Sequence, residues 1–421
     1  MKLNKDGMLQ SSSILFILNM LASLLNYACQ LFMAKVLSVE SFGTINTIFS
    51  FLLIVGVPGT TLTMIVAKKY AETNDEDATT KRTYIGSLLK SIMFLSVIIF
   101  TICLVLQTPL SRVLAITDII VLVFTFILGA LSFFHPIYSG VFSGNKRFIL
   151  VGIYSLFIPI YKIISIIIAK IWSNDDIVRL YVMLVVMILG NVVVALIGHI
   201  KTKEILGHFK IFQQYDTKFA LGKADINTFL LNICLMFYMN IDLLAVRFRG
   251  DAEASGLYSS VLLFGRIMYY FSTTLGTILL PMVTTVKENH EKAMKLLNKT
   301  LGLMLAFSIV CLGVINILGG FAIELLFGEE YLAAEKYILY VGVISIALSF
   351  CTILVNYLVG VEKTRFATIT MVAIDLAIVL LVVMVQDVEP LLTSIGTLGI
   401  IGAVLLYYFC FNKKKYREYE R

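Results

Sequence analysis

The chain has 421 residues, 59% of them hydrophobic and only 14% charged, with a mean hydropathy of +0.92 and a net charge of +7. A water-soluble globule needs far more charge to cover its surface, so a soluble fold around a single core is excluded. Apolar runs of about 18 to 25 residues recur from end to end and do not alternate as barrel strands would, so the pattern predicts an all-α polytopic membrane protein.

The opening MKLNKDG places lysines before a long apolar run with no small-residue cleavage site, which reads as a retained first span rather than a signal peptide. Apolar runs between charged or turn-rich breaks predict twelve transmembrane helices. The first six cover residues 11–36, 42–66, 84–105, 119–142, 148–171 and 177–200. The second six cover 226–246, 257–283, 301–318, 337–359, 366–385 and 391–411. All six cysteines fall within apolar runs, so they read as small buried residues and imply no disulfide framework. Of the 34 Lys and Arg residues, 24 fall on the side that holds both termini and seven on the other, which predicts cytoplasmic termini in the cell membrane. The net charge is then a topology signal and an attraction to anionic membrane lipid, and nucleic acid is not an expected partner.

The two halves echo one another. ALSF at 130–133 returns at 347–350, Arg147-Phe148 returns as Arg365-Phe366, and the turn Glu40-Ser41-Phe42-Gly43 matches Glu253-Ala254-Ser255-Gly256. With equal span counts, these near-constant offsets predict a duplicated six-helix unit inserted twice the same way up. The expected domains are an N-terminal lobe over 1–200, a linker over 201–223 and a C-terminal lobe over 224–421. The linker alternates basic residues with Ile205, Leu206, Phe209, Phe212 and Phe219, a pattern suited to an amphipathic helix on the cytoplasmic surface. In transporters with such repeats the substrate site lies at the interface of the lobes near the membrane midplane.

Charges inside spans are the default candidates for function, because each costs energy that the fold must recover. Arg266 lies about 14 Å into the eighth span at about 1.5 Å per residue. Its planar donors suit a phosphate, or an ion pair with Asp375 or Asp242. Lys162, in the fifth span, either lines a cavity or extends its stem to the outer interface, and Lys90, in the third, is the more superficial. Asp375 is deep enough to bind a coupling Na+ or H+, or to neutralise Arg266, while Asp242 near the outer end of the seventh span reads as an interfacial partner of Arg247. His135 reads as a buried, hydrogen-bonded histidine. Asn19, Asn26 and Gln30 share one face of the first helix and serve either interhelical hydrogen bonds or a cavity wall. Gly56, Pro58 and Gly59 in the second span and Pro281 in the eighth are candidate kinks. No nucleophile elbow, phosphate-binding loop or metal-ligand spacing occurs, and neither an enzyme nor a bound cofactor is expected.

Three stretches, LFMAKVLSVESFGTINTIFSFLLIVGV at 31–57, NIDLLAVRFRGDAEASGLYSSVLLF at 240–264 and residues 324–363, which contain LLFGEEYLAAEKYILYVG, carry a resemblance over nearly the whole chain. It resembles the polysaccharide (Wzx-type) flippases of the multidrug/oligosaccharidyl-lipid/polysaccharide exporter superfamily, with Lys35 where arginine is usual and Ser255 before Gly256 as departures. The resemblance implies two pseudo-twofold-related lobes around a central cationic cavity, and a polyprenyl-diphosphate-linked oligosaccharide carried to the outer leaflet by alternating access. It extends a cavity role to Arg266, Lys35 and Asp242; Asn26 and Gln30 remain substrate-site candidates on polarity, and Lys90 and Lys162 on charge. A polysaccharide polymerase or other assembly component would be a natural partner. Three rivals remain: a multidrug or metabolite antiporter of the same superfamily, which calls for an acidic cavity; a glycan ligase or polymerase, which calls for a large external loop; and a non-transporting scaffold.

Overall fold

In a computed structural model of the chain, residues 5–72, 78–207 and 223–411 are described. Among the described residues the fold is all-helical, and twelve stretches are long and apolar enough to cross a membrane, as the hydropathy predicts. The chain divides into two compact units, one of Met1–Ser41 with Val55–Ala220 and the other of Phe42–Ile54 with Leu221–Arg421.

The first unit holds α1 (Lys5–Val36), most of α2 (Val39–Glu72), α3 (Ala78–Val105), a short α4 (Gln107–Leu114), α5 (Ile119–Leu131), α6 (Phe134–Gly144), α7 (Phe148–Trp172) and α8 (Asp176–Leu206). Aspartates start two of these helices: Asp118 accepts from the Ile120 amide at 2.8 Å, and Asp175 from the amides of Ile177 and Val178 at 2.9 and 3.2 Å. The core gathers Ile85, Leu89, Phe133, Ile137, Val141, Tyr154 and Val194. The fourth predicted span is two helices rather than one: the chain turns at Ser132–Phe133 and restarts with Pro136, which lacks an N–H, in the first turn of α6, where no N–H partner is needed. The same ALSF letters at 347–350 lie inside an unbroken helix, where Ile353 stands in the place of the proline. By contrast α2 and α10 run unbroken through Pro58 and Pro281.

The second unit holds α9 (Lys223–Arg249), α10 (Ala252–Thr284), α11 (His290–Phe327), a 3-10 helix (Glu329–Tyr337), α12 (Ile338–Gly360), α13 (Thr364–Met384) and α14 (Val388–Phe411). Asp251 caps α10 through the Ala254 amide at 2.7 Å, and Asn289 caps α11 through the Lys292 amide at 3.0 Å. With 38 residues, α11 begins well before its predicted apolar span at Leu301.

The duplication is visible in the backbone. After α6, the amides of Asn145, Lys146 and Arg147 donate to the carbonyls of Val141, Ser143 and Phe142. After α12, Val361, Glu362 and Lys363 donate to Tyr357, Val359 and Leu358, the same three bonds 216 residues on. Lys146 and Glu362 both take positive φ, 58° and 62°, in these turns. The helices that begin or end at the echoed turns keep the offset read from sequence: α1 ends at Val36 and α9 at Arg249, while α2 starts at Val39 and α10 at Ala252.

Residues 42–54 of α2 pack with the second unit, whereas the sequence boundaries place them in the N-terminal lobe. Gly43 is the reason. A Cβ there would strike the Ala252 carbonyl and the Ser255 hydroxyl and lie 2.5 Å from the Gly256 nitrogen, so only glycine lets α2 come this close to the start of α10. Phe42, fully buried, then packs edge-on to Tyr331 at 5.8 Å and against Phe327 at 6.3 Å. The expected linker helix falls largely within 208–222, outside the described residues.

Candidate functional site

The charged candidates of the second unit, Asp242, Arg266 and Asp375, lie on α9, α10 and α13. Asp242 is buried, and its carboxylate accepts from the Tyr258 hydroxyl at 2.8 Å and from the Leu243 amide at 2.7 Å. Tyr258 is fully buried and packs edge-on to Tyr337 at 5.5 Å. The hairpin geometry explains the pairing: Asp242 lies eight residues before Gly250 and Tyr258 eight after it, and positions equidistant from the turn of an antiparallel helix pair face one another. The interfacial pairing of Asp242 with Arg247 expected from sequence is therefore corrected. Arg247 is itself buried, and donates to Ser255 Oγ at 3.2 Å and Thr44 Oγ1 at 3.1 Å.

Arg266 lies eight residues beyond Tyr258 on α10, about 12 Å along the axis. It is half-buried, acts electrostatically on Asp242, and its Nε is buried with no hydrogen-bond partner among the described residues. Asp375, half-buried on α13, interacts electrostatically with Cys234 on α9 and leaves Oδ1 buried with no hydrogen-bond partner among the described residues. No salt bridge among the described residues joins Arg266 to Asp242 or Asp375, so the neutralising ion pair offered as an alternative from sequence does not form. A cationic donor and a carboxylate oxygen thus both stand in membrane-spanning helices without partners among the described residues.

In the first unit, the polar face of α1 meets α7. Asn19 Oδ1 accepts from Ser155 Oγ at 3.1 Å and Asn26 Oδ1 from Lys162 Nζ at 3.5 Å, while the Cys29 thiol donates to the Pro159 carbonyl at 3.4 Å. The structure so brings Asn26 and Lys162 together in an interhelical seam. Gln30, one turn on, is buried with Oε1 unpartnered. Lys35 and Lys90 are exposed and join neither cluster. His135 is half-buried rather than buried and hydrogen-bonded as expected: its Nε2 is buried with no hydrogen-bond partner among the described residues, and its ring stacks on Tyr154 with centres 4.5 Å apart. All six cysteines are free thiols, and no group of three or more His, Cys, Asp or Glu side chains among the described residues converges on a metal-sized site.

Sequence reasoning missed Tyr258 and Cys234. The symmetric spacing about Gly250 was the available signal for Tyr258, whereas nothing in sequence ties Cys234 on α9 to Asp375 on α13.

No family model matches the chain, and no curated relative does. Solved structures with the same fold are transporters of the multidrug and toxin extrusion (MATE) family and the wider MOP superfamily. An inward-facing multidrug-resistance MATE transporter superposes with a TM-score of 0.68 over 92% of this chain and 93% of its own, at 11% identity. A MOP superfamily transporter from Pyrococcus furiosus, whose reversed binding-pocket polarity is taken to suggest a different function, gives 0.62 over 96% and 94% at 12%. A mutant of the Vibrio cholerae MATE transporter VcmN gives 0.58 over 98% and 96% at 15%. The chain has the MATE transporter fold. At these identities the likeness fixes architecture, and substrate must be argued from the side chains.

Proposed function

We propose that the protein is a flippase that moves a polyprenyl-diphosphate-linked oligosaccharide from the cytoplasmic to the outer leaflet of the cell membrane by alternating access. The observation that carries this reading is Arg266: an arginine in a membrane-spanning helix, with a buried Nε that no group satisfies and no acidic partner in salt-bridge range among the described residues. A guanidinium held at that depth costs about 2.5 to 3.5 kcal/mol on insertion scales, which a transiting diphosphate would offset through bidentate hydrogen bonds. An even number of spans would bring both ends of the chain to one side, and the excess of Lys and Arg in the loops of that side supports reading it as the cytoplasm. Asp375, with its unpartnered oxygen, is the proposed coupling group for Na+ or H+.

A multidrug or metabolite antiporter is the second reading, favoured by the carboxylates of Asp242 and Asp375 and by the MATE neighbours. The neighbour whose reversed pocket polarity is taken to suggest a different function supports the view that this fold is not tied to one function.

The deciding experiment follows leaflet transfer of a fluorescent polyprenyl-diphosphate sugar in proteoliposomes, comparing the wild type with Arg266→Ala under an imposed potential, Na+ gradient or proton gradient. Transfer by the wild type and its loss in a folded Arg266→Ala variant are expected. Absence of transfer by folded wild type under every gradient, together with gradient-driven efflux of organic cations, would establish the antiporter instead.

A further inference from the structure

The surface of the second unit carries a concavity of about 560 Å³ between α11 and α14, floored by α12. Gly302 and Leu305 form one wall, Ile400 and Val404 the other, and Phe350 lies on the floor. Leu305 and Val404 are 50% and 61% exposed, so the groove opens outward rather than into the unit's core. Gly302 shapes it: a Cβ there would meet nothing within 4 Å, and the missing side chain widens the channel. Polar groups gather at one end, where the Tyr407 hydroxyl donates to Asn298 Oδ1 at 3.1 Å. Lys295 and Lys299 are exposed on α11 beside Asn298, and Lys295 continues the row that runs through Asn298, Gly302 and Leu305 at helical spacing. Exposed Tyr408 and Phe411 complete an aromatic fringe at the same end of α14, the composition of a membrane–water interface.

The dimensions identify the occupant. From Asn298 to Leu305 is seven residues, about 11 Å of helix, which fits inside the roughly 15 Å of hydrocarbon that one leaflet contributes. The groove starts where α11 passes from its lysine-bearing first turns into its apolar span and ends within that leaflet. A long polyprenyl chain would overrun it. We propose that this groove is a binding site for an anionic glycerophospholipid of the leaflet at the basic end of the second unit, with one acyl chain lying over Gly302 and the phosphate held by Lys295 and Lys299. The branched walls exclude water from the chain, and two ammonium groups at the headgroup level select negative charge over a zwitterion. The site is independent of the cargo and of the transport direction proposed above.

The test incorporates the full-length protein into vesicles containing a trace of phosphatidylglycerol with a photoactivatable acyl chain, followed by peptide mapping of the cross-links. Label concentrated on α11 residues 298–305 and α14 residues 400–407 is expected, competed by unlabelled phosphatidylglycerol and not by phosphatidylcholine. Gly302→Trp fills the channel at a position with open space around it, and should cut groove labelling about tenfold, the loss of roughly two buried methylenes. Gly313→Trp, at another open glycine of α11 outside the groove, should leave it unchanged. Lys295→Gln with Lys299→Gln should abolish the preference for phosphatidylglycerol. Label spread evenly over the lipid-facing helices, equal labelling in Gly302→Trp and the wild type, or displacement by polyprenyl phosphate more readily than by phosphatidylglycerol would each overturn the proposal.

Discussion

The duplicated halves keep the same turns and have diverged in what they bury. In α1, the first helix of the first unit, 28% of the membrane window is buried and its polar face offers amides to α7; in α9, its counterpart, 67% is buried and it carries a carboxylate into the interior. Amides exchanged between helices in a membrane are worth little, because competing partners are available before packing. A buried carboxylate is different in kind, since its desolvation must be offset by donors, and Tyr258 and the Leu243 amide supply them. The second unit should therefore be the more sensitive to polar substitution, and the first the more tolerant.

The largest effect is expected where the second unit takes in the start of α2. In Gly43→Val the new Cβ meets the backbone of Ala252 and Gly256, and a backbone cannot yield as a flexible side chain does. A loss of about 3 kcal/mol or more is expected, the upper end for overpacking, read as a lowered thermal midpoint in detergent. Gly43→Ala should fall in the same direction with a smaller shift. If Gly43→Val melted like the wild type, the assignment of residues 42–54 to the second unit would be wrong.

The next comparison sets one hydrogen bond against another. Tyr258→Phe deprives buried Asp242 of a donor and should cost about 1 to 3 kcal/mol. Ser155→Ala removes the bond to Asn19 at an exposed position on the α1–α7 seam and should cost about 0.6 kcal/mol or less. Denaturant titration of both variants in the same detergent reads the difference. Equal losses would show that the two polar clusters do the same structural job and would undo the contrast between the halves.

Hydropathy alone made the twelve spans legible, because a membrane imposes its thickness directly on the length of each apolar run. The repeat was legible for a similar reason, since turns need particular residues and the echoed turns kept theirs. Breaks inside spans were harder: ALSF reads alike at 130 and 347, yet α5 parts from α6 there, with Pro136 three residues further on, while α12 runs through. The allegiance of residues 42–54 was not legible, because Gly43 looks like any glycine until α10 lies against it. The candidate site divides the same way. Arg266 and Asp375 stood out as charges in apolar runs, yet whether they paired depended on how α10 and α13 are placed, which no local pattern records.

The smallest effect is expected at the surface. Lys287, between α10 and α11, donates to Glu362 at 2.9 Å in the turn before α13, with side chains 36% and 70% exposed. The hydrogen bond and the charge of Glu362 hold the Lys287 ammonium above its ordinary range. A raised lysine contributes its stabilisation fully below the unfolded-state value near 10.5 and loses it as pH climbs through the folded-state value, so nothing should change between pH 5 and 9. Solvent and salt screen such a pair, so Lys287→Gln should leave the thermal midpoint within error across that range, with any difference confined to strongly alkaline, low-salt buffer. A clear drop at neutral pH would mean that the turn at Glu362, one of the two that preserve the duplicated backbone pattern, depends on its side chain as well as on its backbone bonds.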